Sequence, residues 1–106
     1  MNLEIHTKQT EEGIVIEPAG RIDTSTAESF EKAVLQAAET SSAVTIDLQN
    51  TQYISSAGLR VLLLAYKKLS GTGKFEVIHV NEVIRDIFDV TGFTDIFMPE
   101  DSRNGQ

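Results

Sequence analysis

A chain of 106 residues suits one domain with a core of its own. Hydrophobic residues are 41% and charged residues 24%, and the absence of cysteine excludes a disulfide scaffold or a thiolate metal site and suits a reducing cytosol. The net charge of −7, with no basic run, argues against nucleic acid or an anionic membrane as partner, and the longest apolar run, residues 61–65, is far too short to span a bilayer. Met1-Asn2-Leu3-Glu4 lacks the basic and apolar regions of a signal peptide, so a cytoplasmic location is expected.

Leu3 and Ile5 alternate with Glu4 and His6, which predicts a first strand. Glu11-Glu12-Gly13 reads as a turn and residues 14–17 as a second strand, together an N-terminal hairpin. Pro18 and Gly20 are expected to end it, since proline cannot donate to a ladder and belongs at an edge or an exit. Residues 21–24 form a loop. Ser25-Thr26-Ala27-Glu28 matches a capping box, and Ala27, Phe30, Val34 and Ala37 share one face of a helix of about four turns. Thr40-Ser41-Ser42 breaks it.

Val44, Ile46 and Leu48 alternate with Thr45 and Asp47, which predicts a central strand. A loop follows. Leu59, Leu62, Leu63 and Tyr66 then recur at helical spacing, predicting a second helix that ends near Ser70, with Gly71-Thr72-Gly73 as its turn. Residues 74–80 alternate again. Asn81 is a suitable N-cap for a short helix built on Val83, Ile84, Ile87 and Phe88 and closed by Gly92; residues 93–97 read as a last edge strand. The order β-β-α-β-α-β-α-(β) predicts an α/β fold: a mixed, mostly parallel sheet of four to five strands, with an N-terminal β-hairpin, packed against about three to four helices. One domain is expected over residues 1–98, and a flexible tail over 99–106.

The chemistry is expected where the central strand hands over to its helix, at Ser55-Ser56-Ala57-Gly58. A helix start offers unpaired N–H groups and the positive end of the macrodipole. Either serine serves as a plain N-cap. Ser56 can also carry a phosphate there, because the free N–H groups and the dipole tolerate an anion. Gly58 costs about 1 kcal/mol against alanine in a helix, which reads either as tolerance near a frayed end or as a bare backbone for a partner to approach. Leu59 reads as core or as an exposed apolar contact, and Arg60 as a solvated charge. Asp23 caps a turn or helix, and approaches Ser56 if the two strand-to-helix junctions lie at the same end of the sheet. Enzyme readings are weak: no G-x-S-x-G elbow surrounds either serine, His6 and His79 have no triad or metal spacing, Gly71-Thr72-Gly73-Lys74 is too short for a phosphate loop, and Asp47 has no evident catalytic partner.

The run Ile46-Asp47-Leu48 … Tyr53-Ile54-Ser55-Ser56-Ala57-Gly58-Leu59-Arg60-Val61-Leu62 resembles the signature of STAS domains, and is most similar to the single-domain anti-sigma factor antagonists of bacteria. Gly20-Arg21-Ile22-Asp23-Thr24-Ser25-Thr26-Ala27 matches the family's Gly-x-x-Asp segment, and Thr91-Gly92-Phe93 is a weaker third match. The resemblance implies a binding module without a cofactor, not a catalyst. Its partners would be an anti-sigma factor that is also a serine kinase of the histidine-kinase-like ATPase class, and a PP2C-type phosphatase. Aligned on Gly58-Leu59, the phospho-acceptor position falls on Ser56, with Ser55 as the alternative; Ser55 stands where many members carry Asp, and Ala57 where many carry Ser or Thr. Asp23, Thr24, Ser25, Ser55, Ser56, Ala57, Gly58, Leu59 and Arg60 would form the contact surface, with Asp23 near the partner's nucleotide. A monomer or weak dimer is expected. The alternatives are a scaffold or accessory subunit of a stress-sensing assembly or transporter complex, and a small enzyme or nucleotide-binding protein.

Overall fold

A computed structural model describes residues 3–98; the tail expected at 99–106 lies outside them. The elements are β1 (Leu3–Thr10), β2 (Gly13–Ile22), α1 (Ala27–Thr40), β3 (Ala43–Asp47), β4 (Thr51–Ile54), α2 (Ser56–Leu69), β5 (Lys74–Ile78), α3 (Glu82–Thr91) and α4 (Thr94–Phe97). β2 is the spine of a five-stranded mixed sheet. β1 pairs with it antiparallel along its length, from Leu3↔Gly20 to Thr10↔Gly13. On the other edge β3 pairs parallel with residues 14–16 of β2, and β4 pairs parallel with residues 20–22. β5 adds to β3, also parallel. One continuous core joins Ile14, Ile16 and Ile22 of β2, Val44 and Ile46 of β3, Phe30 and Val34 of α1, and Leu62 and Ala65 of α2. The predicted faces of the central strand and of α1 are those buried, with Ala38 added to the latter.

β2 does not stop at Pro18. It runs on to Ile22, through the centre of the sheet. The ladder to β3 ends at Ile16 and the ladder to β4 begins at Gly20, so Pro18 falls in the gap where no N–H is asked for on that edge. Its carbonyl takes the buried Thr51 hydroxyl at 2.7 Å. Gly20, at φ 126°, absorbs a bulge: Gly20 faces Thr51, and Arg21 already faces Tyr53.

Residues 51–54 are a strand and not the expected loop. The chain turns back after Leu48, where Thr51 N–H donates to the Leu48 carbonyl at 3.0 Å, and rejoins the same edge of β2. Four residues are too few for alternation to reveal a strand. The expected edge strand at 93–97 is instead the short helix α4. Gly92 at φ 84° closes α3, and the Thr94 hydroxyl donates to the Asp89 carboxylate, so the segment folds back onto α3 instead of extending. That turn places Phe97 among Tyr66, Phe75, Phe88 and Phe93, with ring centroids 5.3–6.2 Å away. β5 also stops early, at Ile78, because His79 takes φ 58° and leaves the strand.

Two helix faces differ from the pattern. α2 buries Gly58, Leu59, Val61, Leu62, Ala65 and Leu69, while Tyr66 is 38% exposed. α3 buries Ile84 and Phe88, with Ile87 half-buried and Val83 54% exposed. Asn81 caps α3 as expected, its Oδ1 accepting from Ile84 N–H at 2.9 Å.

Candidate functional site

β2 and β4 end in register, Ile22 opposite Ile54, and Ser55 N–H donates to the Ile22 carbonyl at 2.7 Å. Asp23 and Ser55 therefore leave neighbouring parallel strands side by side, about 4.8 Å apart between strand axes. The two strand-to-helix junctions lie at one end of the sheet, so the condition for Asp23 to neighbour the serine pair is met.

Ser55, not Ser56, is the N-cap of α2. Its backbone is extended, at φ −89° and ψ 175°, and its hydroxyl accepts from Gly58 N–H at 3.4 Å. Ser56 is the first helical residue. Its side chain is exposed, and its hydroxyl makes no hydrogen bond with any described residue. The helix start is thus capped without it, and its Oγ is free for other chemistry.

Across the junction the capping box does not form. Thr26 occupies the N-cap of α1, which puts Glu28 one position short of where it could reach back. The Thr26 hydroxyl instead donates to the Arg21 carbonyl at 2.8 Å and accepts from Asp23 N–H at 2.9 Å. Asp23 ties the turn together. Its Oδ1 accepts from the Ser25 hydroxyl at 2.7 Å, from Ser25 N–H at 2.9 Å and from Thr26 N–H at 3.2 Å. The Ser25 hydroxyl bond, opposed by partial desolvation and aided by the backbone donors, holds the Asp23 carboxyl below its ordinary range. Thr24 and Ser25 are exposed beside it.

Two expected contact residues belong to the interior. Leu59 is 3% exposed and packs in the core. Gly58 is buried, and a Cβ built on it would lie 2.6 Å from Ile22 Cγ2 and 2.7 Å from Ile54 Cγ1. The glycine serves the close approach of α2 to β2 and β4, not that of a partner. Ala57 is half-buried and Arg60 exposed, so both stay on the accessible rim. Arg21 and Tyr53 have no local pattern that marks them as a pair. The Arg21 guanidinium lies 4.4 Å above the Tyr53 ring, a cation–π pair whose register follows only once β4 is a strand.

The other candidates separate from this site. His79 has a partner after all: its Nδ1 is 2.9 Å from Asp47 Oδ1. No hydroxyl of a described residue is hydrogen-bonded to that ring, so the pair lacks the nucleophile of a triad. Among the described residues no group of three or more His, Asp and Glu is arranged to hold a metal ion. No helix among them is long and apolar enough to cross a membrane.

The comparisons with known proteins point the same way. The family model described as STAS domain matches residues 4–104. The anti-sigma-B factor antagonist of Bacillus subtilis (strain 168) is 30% identical over 97 residues, covering 91% of this chain and 89% of its own. The crystal structure of an anti-sigma factor antagonist from Mycobacterium paratuberculosis superposes with a TM-score of 0.82 at 26% identity, over 92% of this chain and 84% of that one. The Bacillus cell fate determinant SpoIIAA in its phosphorylated form shares the fold, with a TM-score of 0.68 at 17% identity, over 92% of this chain and 89% of that one.

Proposed function

The chain belongs to the STAS domain family, and from that premise we propose that it is an anti-sigma factor antagonist switched by phosphorylation of Ser56. The observation that carries this reading is the Ser56 hydroxyl: exposed, without a hydrogen-bond partner among the described residues, and standing at a helix start already capped by its neighbour. In the unphosphorylated state the surface from Asp23 to Ser25, with Ser55, Ser56, Ala57 and Arg60, docks onto an anti-sigma factor that is also a serine kinase. The kinase transfers the γ-phosphoryl of its ATP to Ser56 Oγ, the hydroxyl proton leaves, and ADP remains as product. The new group brings about two negative charges to a contact made of small side chains. A dianion that must lose its water, or face acidic groups of the partner, weakens binding, and about 1.4 kcal/mol is enough for tenfold. The antagonist then dissociates, and a PP2C-type phosphatase resets it. This chain is the substrate of both enzymes and acts in the cytoplasm as a monomer or weak dimer. Gly58 and Leu59 act from beneath, by fixing α2 on the sheet.

Incubation with the cognate kinase and ATP, followed by peptide mass spectrometry, tests the site. The phosphate is expected on Ser56, absent from Ser56→Ala and retained in Ser55→Ala. Ser56→Asp is expected to weaken kinase binding at least tenfold in calorimetry; unchanged affinity would refute the switch.

A further inference from the structure

The three arginines of the described residues differ in employment. Arg21 lies on Tyr53, and Arg85 has an interaction of its own. Arg60 is exposed and makes no hydrogen bond or ion pair with any described residue. It stands four residues after Ser56, on the side of α2 opposite the centre of the buried set Gly58, Leu59, Val61, Leu62, Ala65 and Leu69. Residues at this spacing are neighbours, with Cβ atoms about 5–6 Å apart. Helical side chains also lean toward the N-terminus, so a side chain as long as that of Arg60 can reach back over the first turn to Ser56.

We propose that Arg60 receives the phosphate placed on Ser56, so that one modification both adds an anion to the docking face and withdraws a cation from it. The proposal rests on the reading of Ser56 as the acceptor. The guanidinium fork matches a phosphate, and an anion N-terminal to a cation at this spacing is the favourable orientation. Asp23 makes the cation matter: its carboxylate, kept ionised by the Ser25 and Thr26 donors, stands across the junction and would repel a dianion. Before modification Arg60 is free to meet an acidic group of the partner; afterwards it is occupied from within the same helix. The switch then acts twice.

The test needs no kinase. Phosphoserine is installed at position 56 by expanded-code translation, and its second ionisation is followed by 31P NMR at low salt. The midpoint is expected about 0.2–0.4 unit lower with Arg60 than in Arg60→Ala, with Arg60→Lys in between and the difference gone in 1 M salt. Lys67, an exposed cation about two turns further along the same face, is the control, and Lys67→Ala should leave the midpoint in place. Equal midpoints with and without Arg60, or equal effects of Arg60→Ala and Lys67→Ala, would overturn the proposal. Either result leaves Ser56 as the acceptor untouched. Conversely, a kinase that ignores Ser56 would end the functional reading without altering this titration.

Discussion

Asp23 shows how one carboxylate can serve both fold and surface. One oxygen, Oδ1, takes the donors from Ser25 and Thr26 that fix the turn into α1. The other makes no hydrogen bond with a described residue, which leaves it for a partner. Because the folded carboxyl is held below its ordinary value of 3.8, its contribution to stability is complete above that value and fades as pH falls through the lower, folded value. Ser25→Ala removes the leading cause, so the Asp23 midpoint in a 13C carboxyl titration should rise toward 3.8, and Asp23→Asn should remove this share of the acid sensitivity. An unmoved midpoint in Ser25→Ala would mean that the backbone donors suffice. The residue scale also marks where the sequence was readable. Ser56 stands out through residue type and position at a strand-to-helix junction. Leu59 does not, because an apolar residue in the first turn of a helix packs in or out according to how the helix meets the sheet. That angle depends on Gly58 lying against Ile22 and Ile54, a contact between distant segments.

At the scale of elements, β4 is the piece that positions the site and the piece with the weakest local signal. It is four residues long and held by its surroundings: Ile22 and Gly20 on one side, Asn81 on the other. Asn81 does two jobs. Its Oδ1 caps α3, and its Nδ2 donates to the Thr51 carbonyl at 2.7 Å, tying α3 to the start of β4. Ser55 caps α2 through a single, longer bond of 3.4 Å. Asn81→Ala should therefore cost about 2–4 kcal/mol, the sum of a lost cap and a buried carbonyl left without its donor, and Ser55→Ala about 0.5–1 kcal/mol. Urea denaturation of the two variants checks this, and equal losses would show that the link to β4 carries no weight. The sequence marked Asn81 as a cap, since that pattern is local. Its second bond spans 30 residues and has no local pattern. The same division explains the rest. The faces of α1 and β3 are periodic and were legible, whereas β4 and α4 are each four residues long and set by what they pack against.

The molecule as a whole separates what holds it from what switches it. The core lies between the sheet and α1, α2 and α3, and it ends beneath the first turn of α2 with Leu59 and Gly58. Ser56, two residues before the buried Gly58, is already outside it. A phosphate there meets solvent, helix N–H groups and Arg60, none of which requires a core side chain to move. The phosphorylated and unphosphorylated forms should therefore unfold in urea within about 0.5 kcal/mol of each other, as surface changes do. Their amide spectra should differ at residues 22–26 and 53–60 and coincide at Phe30, Ile46 and Leu62. Widespread shifts through the core, or a loss of several kcal/mol, would mean that the phosphate works by deforming the fold. With the core unmoved, release must come from charge and bulk at the surface. Where the dianion faces acidic groups of the partner, the loss of binding should be larger at low salt than at high, since salt screens that repulsion.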